Sequence, residues 1–223
     1  MSSEINTIDD WSTLLSEAKN GSNISQLDVA MHYENGNNFV SINITEAFKW
    51  TKIAYENGNI NAIVRYADYL STGENCNKNL DLAIQLYENG IELGFSEAAF
   101  NLGVEYRNKQ DFKRAFEYYQ RANEMSANSY HFDIAKCYYY GIGIEKDKNK
   151  ALEILKNINF PKSNQYEVDE ANYMLGLLYL DGEVVEKSLE NARRYLELAN
   201  ADQDHRSAKE LLMIIGDSND ISR

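Results

Sequence analysis

Apolar residues along this chain recur in the pattern small-x-x-aromatic-x-x-Gly, and they do so at long intervals. Val29-Ala30-Met31-His32-Tyr33-Glu34-Asn35-Gly36 aligns with Tyr66-Ala67-Asp68-Tyr69-Leu70-Ser71-Thr72-Gly73. Leu102-Gly103-Val104-Glu105-Tyr106 follows without its closing glycine. Ile134-Ala135 through Gly141 and Leu175-Gly176 through Gly182 complete the set. The small residues Ala30, Ala67, Gly103, Ala135 and Gly176 are separated by 37, 36, 32 and 41 positions. A fixed period of this length marks a chain built from one supersecondary unit used repeatedly.

A second series keeps step with the first: Ala47, Ala83, Ala115, Ala151 and Ala192. Three positions after each stands Trp50, Leu86, Tyr118, Ile154 or Tyr195, and four further on Ala54, Gly90, Ala122, Ile158 or Ala199. Offsets of 0, 3 and 7 share one helical face. Four positions before each alanine is Asn43, Asn79, Asp111, Asp147 or Ser188, residues whose side chains cap a helix N-terminus. Each unit therefore reads as two helices joined by a loop, the first closing near its glycine and the second near Gly58 or Gly94. One such pair cannot bury its apolar face alone, whereas five stacked pairs can. The expected fold is an all-α solenoid.

These residues resemble the Sel-1-like repeat, a relative of the tetratricopeptide repeat. Ile134 through Ile158 carries Gly141-Ile142-Gly143-Ile144-x-x-Asp147-x-x-x-Ala151, Ala171 through Ala201 is similarly close, and the first repeat keeps Ala47-x-x-Trp50-x-x-x-Ala54-x-x-x-Gly58. The resemblance implies a right-handed α-α superhelix. Repeats are expected at about 22–58, 59–94, 95–128, 129–160 and 168–206. Capping helices are expected within 1–21 and 207–223, the latter over Ser207 to Ile215 with Leu211, Leu212 and Ile214 facing the fifth repeat and a frayed polar tail from Asp217. The insertion at Asn159–Tyr166, which holds the single proline, Pro161, reads as a surface loop.

By analogy with tetratricopeptide grooves, the binding positions lie one and four residues after each small residue. They are Met31 and Glu34, Asp68 and Ser71, Val104 and Arg107, Lys136 and Tyr139, Leu177 and Leu180. The list runs from acidic to apolar, and Tyr139, Tyr140, Leu177 and Leu180 form the expected anchor patch. The row Leu27, Val64, Phe100, Phe132 and Tyr173, three before the small residue, is apolar, and Phe100 and Phe132 in it are expected to pack between repeats.

Composition narrows the function classes. The 223 residues carry 35 acidic and 22 basic side chains, a net charge of −13. That balance opposes direct binding of nucleic acid or of an anionic membrane surface. No eighteen-residue apolar run is present to span a membrane, and the first residues lack a secretory pattern. Two widely separated cysteines, Cys76 and Cys137, imply a reducing compartment, hence a cytoplasmic protein. His32, His131 and His205 fall at unrelated repeat offsets, and no pair has metal-ligand spacing. No catalytic set, metal site or cofactor is expected. The sequence favours a scaffold or adaptor that binds a partner protein, with a cytosolic immunity protein against a basic toxin as the alternative. An enzyme or cofactor binder has no residues to support it.

Overall fold

The computed structural model describes residues 5–126, 130–158 and 164–220, and among these it contains twelve α-helices, one 3₁₀ turn and no strand. The chain divides into two compact units, Met1–Glu105 and Tyr106–Arg223. The first unit contains α1 (Ile8–Lys19), α2 (Asn23–Asn35), α3 (Ile44–Glu56), the 3₁₀ turn Ile60–Ala62, α4 (Ile63–Thr72) and α5 (Leu80–Glu92). It also contains most of α6 (Ser96–Asn108). The second contains α7 (Phe112–Met125), α8 (His131–Tyr140), α9 (Lys148–Lys156), α10 (Gln165–Asp181), α11 (Leu189–Ala199) and α12 (Arg206–Asp220).

All five expected caps form. Asn43, Asn79, Asp111, Asp147 and Ser188 each accept a hydrogen bond from the backbone amide three residues on, at 3.0 to 3.1 Å. Each contributes on the order of 1 kcal/mol to its helix. The same five residues do a second job with their own amides. Asn43 donates to the carbonyl of Tyr33, Asn79 to Leu70, Asp111 to Tyr106, Asp147 to Tyr138 and Ser188 to Tyr179, at 2.7 to 3.0 Å. In every repeat the acceptor is the third residue from the end of the first helix, a carbonyl left over by the helix terminus. One residue thus closes one helix and opens the next.

The alanines that follow the caps, Ala47, Ala83, Ala115, Ala151 and Ala192, have no exposed surface. Their small side chains let paired helices approach. At Gly176 the approach is closer still, because a Cβ there would lie 2.9 Å from Leu196 Cγ. In three of the repeats the aromatic of the first series meets the residue three after the alanine. Tyr106 stacks on Tyr118 with ring centres 5.3 Å apart, Tyr179 on Tyr195 at 5.5 Å, and Tyr33 shares a cluster with Trp50.

The third repeat, which has lost its closing glycine, still turns with positive φ: Gln110 sits at +62°. Asp111 follows it directly, so this loop is Lys109-Gln110 alone, whereas Gly36–Ile42 connects α2 to α3. In the fourth repeat Gly143 is also left-handed, and a Cβ there would lie 1.8 Å from the Phe112 carbonyl oxygen. Only glycine fits.

The ends cap as expected with two corrections. Trp11, Leu14, Leu15 and Ala18 of α1 pack with Val29, and Thr7 forms a reciprocal cap with Asp10. At the other end α12 does not stop at Ile215 but runs to Asp220. It buries Ala208 and Ile215, with Leu211 and Leu212 beside them, against Leu196 and Ala199. Ile214, expected to face the fifth repeat, is 62% exposed. Residues 208, 211, 212 and 215 keep the spacing of one face, and 214 falls off it. The expected insertion also shortens, because Asn164 caps α10 and Gln165 and Tyr166 are helical. Its remaining part, Pro161 included, lies outside the described residues.

Candidate functional site

In the first unit, α2 and α4 run beside each other and leave two hollows in line. One, about 610 Å³, is lined by Ile24, Leu27, Asp28 and Met31 of α2, by Ile60 and Asn61 of the 3₁₀ turn and by Arg65. The other, about 110 Å³, is lined by Glu34, Arg65, Asp68, Tyr69, Thr72 and Glu74. Arg65 is the wall they share, and its guanidinium is bonded to Glu34 Oε2.

The pair is held in register by amide side chains. Asn23 Nδ2 donates to the Asn57 carbonyl at 2.8 Å, and Asn59 Nδ2 donates back to the Asn23 carbonyl at 2.8 Å. Asn57 Nδ2 reaches Gln26 Oε1 at 3.0 Å, and Gln26 Nε2 reaches the Ala18 carbonyl. These bonds tie the start of α2 to the turn that precedes α4 and satisfy the buried Gln26 and Asn59 side chains.

Asp68 is the electrostatic centre of the second hollow. Its Oδ1 accepts from Tyr87 Oη at 2.6 Å and from Asn101 Nδ2 at 2.8 Å. Burial pushes its carboxyl above the ordinary value, against these two donors and the Arg65 charge, while Glu97 pushes in the same direction as burial. Ser71, expected on the groove surface, is instead buried. Its hydroxyl donates to the Asp68 carbonyl at 3.1 Å and lies 3.4 Å from Tyr87 Oη. Met31 is half-buried against Leu27, Ala54 and Ala62, and Val104 is half-buried on α6.

In the second unit Arg107 is exposed at the end of α6. Lys136 pairs with Asp133 at 3.0 Å and lies over the Phe132 ring. Tyr139 and Tyr140 meet edge to face, 4.7 Å between ring centres. Tyr139 packs with the cluster of Phe132, Leu155 and Leu178, whereas Leu180 packs with Leu196, Ala199, Ala208 and Ile215 under α12. The expected anchor patch is therefore divided between two cores. Leu177 is half-buried, and Tyr140, 56% exposed, is its outward member. Lys148, the first residue of α9, is bonded to Asp181 at 2.5 Å and Glu183 at 2.6 Å, with its ammonium 5.4 Å from the Tyr139 ring. Burial opposes the charge of Lys148, but the two carboxylates outweigh it and raise its pKa. Of the apolar row, Leu27, Val64 and Phe132 are buried.

The histidines stand apart from one another. His32 is buried, its Nδ1 3.1 Å from Asn37 Nδ2. His131 is held below its ordinary pKa by burial. His205 accepts from the Ala208 amide at 3.1 Å, which caps α12, and stacks near Tyr173. Among the described residues no three His, Cys, Asp or Glu side chains converge on a point a metal could occupy. None of the described helices is long and apolar enough to cross a membrane.

Ile24, Ile60, Arg65 and Glu74 were not singled out by repeat register. The available clue was that Ile24 and Ile60 both stand near the start of a repeat, as exposed isoleucines where a solvated position calls for a polar residue.

Paired helices with capped second members, repeated five times, define a protein of the helical-repeat class. The chain belongs to the Sel1 repeat family, whose pattern it matches at residues 23–59, 60–95, 96–126, 129–156 and 169–209. Repeats of this family generally mediate protein–protein interaction. Its structure is similar to that of a Sel1 repeat protein from Oxalobacter formigenes, with a TM-score of 0.69 and 20% identity over 91% of this chain and 86% of that one. A protective antigen with this repeat fold from uropathogenic Escherichia coli gives 0.57 at 19% identity, covering 96% of this chain and 53% of its own. A Sel1 repeat protein from Klebsiella pneumoniae subsp. pneumoniae gives 0.51 at 20% identity, covering 92% and 98%. These likenesses establish the fold. No curated protein matches the chain in sequence.

Proposed function

We propose that this protein is a non-catalytic scaffold that holds a partner protein on the outward faces of the first helix of each repeat. In the first unit these faces carry Met31, Glu34, Asp68 and Val104; in the second they carry Arg107, Lys136, Tyr139, Tyr140 and Leu177. The observation that carries the reading is the pair of neighbouring hollows between α2 and α4, the first of which has Ile24 and Ile60 open to solvent at its edge. Membership of a family of interaction modules supports it. The two cysteines, both unpaired thiols, support action in the cytoplasm.

The test is affinity capture of the full-length protein from its own cells, followed by reconstitution with each purified candidate. A scaffold gives a direct complex of fixed stoichiometry. A protein that captures nothing above an unrelated acidic control, or whose captured species fail to bind when purified, is not one.

A further inference from the structure

The two hollows between α2 and α4 differ in chemistry, and the difference selects an occupant. At one end Ile24 and Ile60 are 70% and 55% exposed, beside the half-buried Met31. Ile24 stands near the start of α2 and Ile60 in the 3₁₀ turn that leads into α4, so two aliphatic side chains stand in water at the edge of a hollow lined by Leu27 and Met31 together with the polar Asn23, Asn59 and Asn61. At the other end Glu34, Asp68 and Glu74 converge, and the cation among the linings, Arg65, is already bonded to Glu34. Asp28 lines the first hollow and Glu97 adds its field at Asp68. A half-buried acidic concavity focuses potential more strongly than an open acidic surface does.

We infer that this cleft takes an extended segment of a partner protein bearing a large aliphatic side chain and a lysine or arginine three residues apart. The aliphatic group seats against Ile24, Leu27 and Ile60, and the cation seats against Glu34, Asp68 and Glu74. Spacing follows from the helix that forms the wall. Leu27 and Glu34 are two turns apart on α2, about 10 Å, and an extended chain advances about 3.3 Å per residue. Three residues cover that distance. A helical segment would cover less than half of it with the same residues, so extended chain is the form that fits. Backbone groups of such a segment find partners in the exposed Asn61 and Thr72, which lie along the path.

This inference rests on the scaffold reading and specifies its ligand. The test uses the full-length protein, ¹⁵N-labelled, titrated with Gly-Leu-Ser-Ser-Arg-Gly and with the reversed order Gly-Arg-Ser-Ser-Leu-Gly, both capped. At least one peptide shifts amides of α2 and α4 around Met31, Glu34 and Arg65. Replacing its arginine with glutamate, or its leucine with serine, weakens binding at least fivefold, and raising salt from 50 to 300 mM weakens it further. The exposed substitutions Ile60→Ser and Glu74→Gln each weaken it at least threefold with unchanged circular dichroism. Shifts confined to other helices, equal binding of the glutamate peptide, or no shift at millimolar peptide overturn the inference. A captured partner that still binds both variants at full affinity also overturns it while leaving the scaffold reading in place. Failure to find any direct partner removes the scaffold reading itself.

Discussion

Tyr87 of α5 donates its hydroxyl hydrogen bond to Asp68 of α4 across 2.6 Å, and this bond ties the second helix of the second repeat to the acidic end of the cleft. The phenol is itself almost wholly buried and is pushed strongly upward by burial and by the Asp68 charge. Both effects favour the neutral phenol, the form that donates.

Removing that donor leaves a buried carboxylate oxygen with Asn101 alone. Tyr87→Phe should cost about 1–3 kcal/mol in urea unfolding. It should also raise the Asp68 pKa further, visible by carboxyl-carbon NMR. An Asp68 titration unmoved by the substitution would contradict the bond.

The Asp68 shift carries a sign of its own. Its folded pKa lies above the unfolded value of 3.8, so the folded protein holds the proton longer than the unfolded chain. Asp68 therefore costs stability as pH rises through its folded pKa, and the cost is absent below the unfolded value. Asp68→Asn should flatten that part of the stability–pH curve. Binding of the arginine peptide should grow over the same interval in the parent and not in the variant.

Asp181 titrates in the opposite sense. Burial pushes its carboxyl up, but the Glu183 amide and the Lys148 ammonium outweigh burial and hold it below 3.8. The stability it lends is present above the unfolded value and disappears as pH falls through the lower folded value. Urea midpoints measured from pH 5 downward should fall less steeply for Asp181→Asn than for the parent.

Gly143→Ala should be severe. It adds a methyl onto the Phe112 carbonyl and forces a left-handed conformation on a residue with a side chain. The expected loss is roughly 2–4 kcal/mol, read as a lowered Tm. Gly58→Ala meets no neighbour within 4 Å and should cost about 1 kcal/mol from backbone conformation alone.

The two thiols should react at different rates. Burial pushes the Cys137 pKa up to about 12, so at pH 8 on the order of one molecule in ten thousand carries the thiolate. Cys76 is half-buried, and burial raises its pKa as well while its Sγ lies 3.1 Å from the Tyr69 carbonyl. Mass spectrometry after iodoacetamide treatment should show Cys76 modified at least tenfold faster, with Cys137 reacting only on unfolding.

The caps, the alanines and the stacked tyrosines were legible because each repeat writes them again, and five copies of a weak local preference make a strong one. The cleft was not legible in the same way. Arg65 belongs to it through its bond to Glu34, 31 positions earlier, and that pairing follows from how α2 and α4 lie side by side rather than from either repeat alone. Register also placed Ser71 and Leu180 one step too far outward. A tetratricopeptide offset assigns faces by counting, whereas here Tyr87 draws Ser71 inward and α12 covers Leu180. Ile214 and Ile215 show the same limit, since one residue of rotation, 100°, separates buried from exposed on a helix.

The double role of the five cap residues has a further consequence. Each loop is pinned at both ends by the cap residue that follows it, so the chain between is free to differ in length without shifting either helix. Two residues suffice between α6 and Asp111, and seven, Gly36 through Ile42, are used between α2 and Asn43. New sequence can enter a repeat at that point and leave its helical register untouched. These loops are where a lineage of such proteins can try out new surfaces while the rest of the molecule holds still.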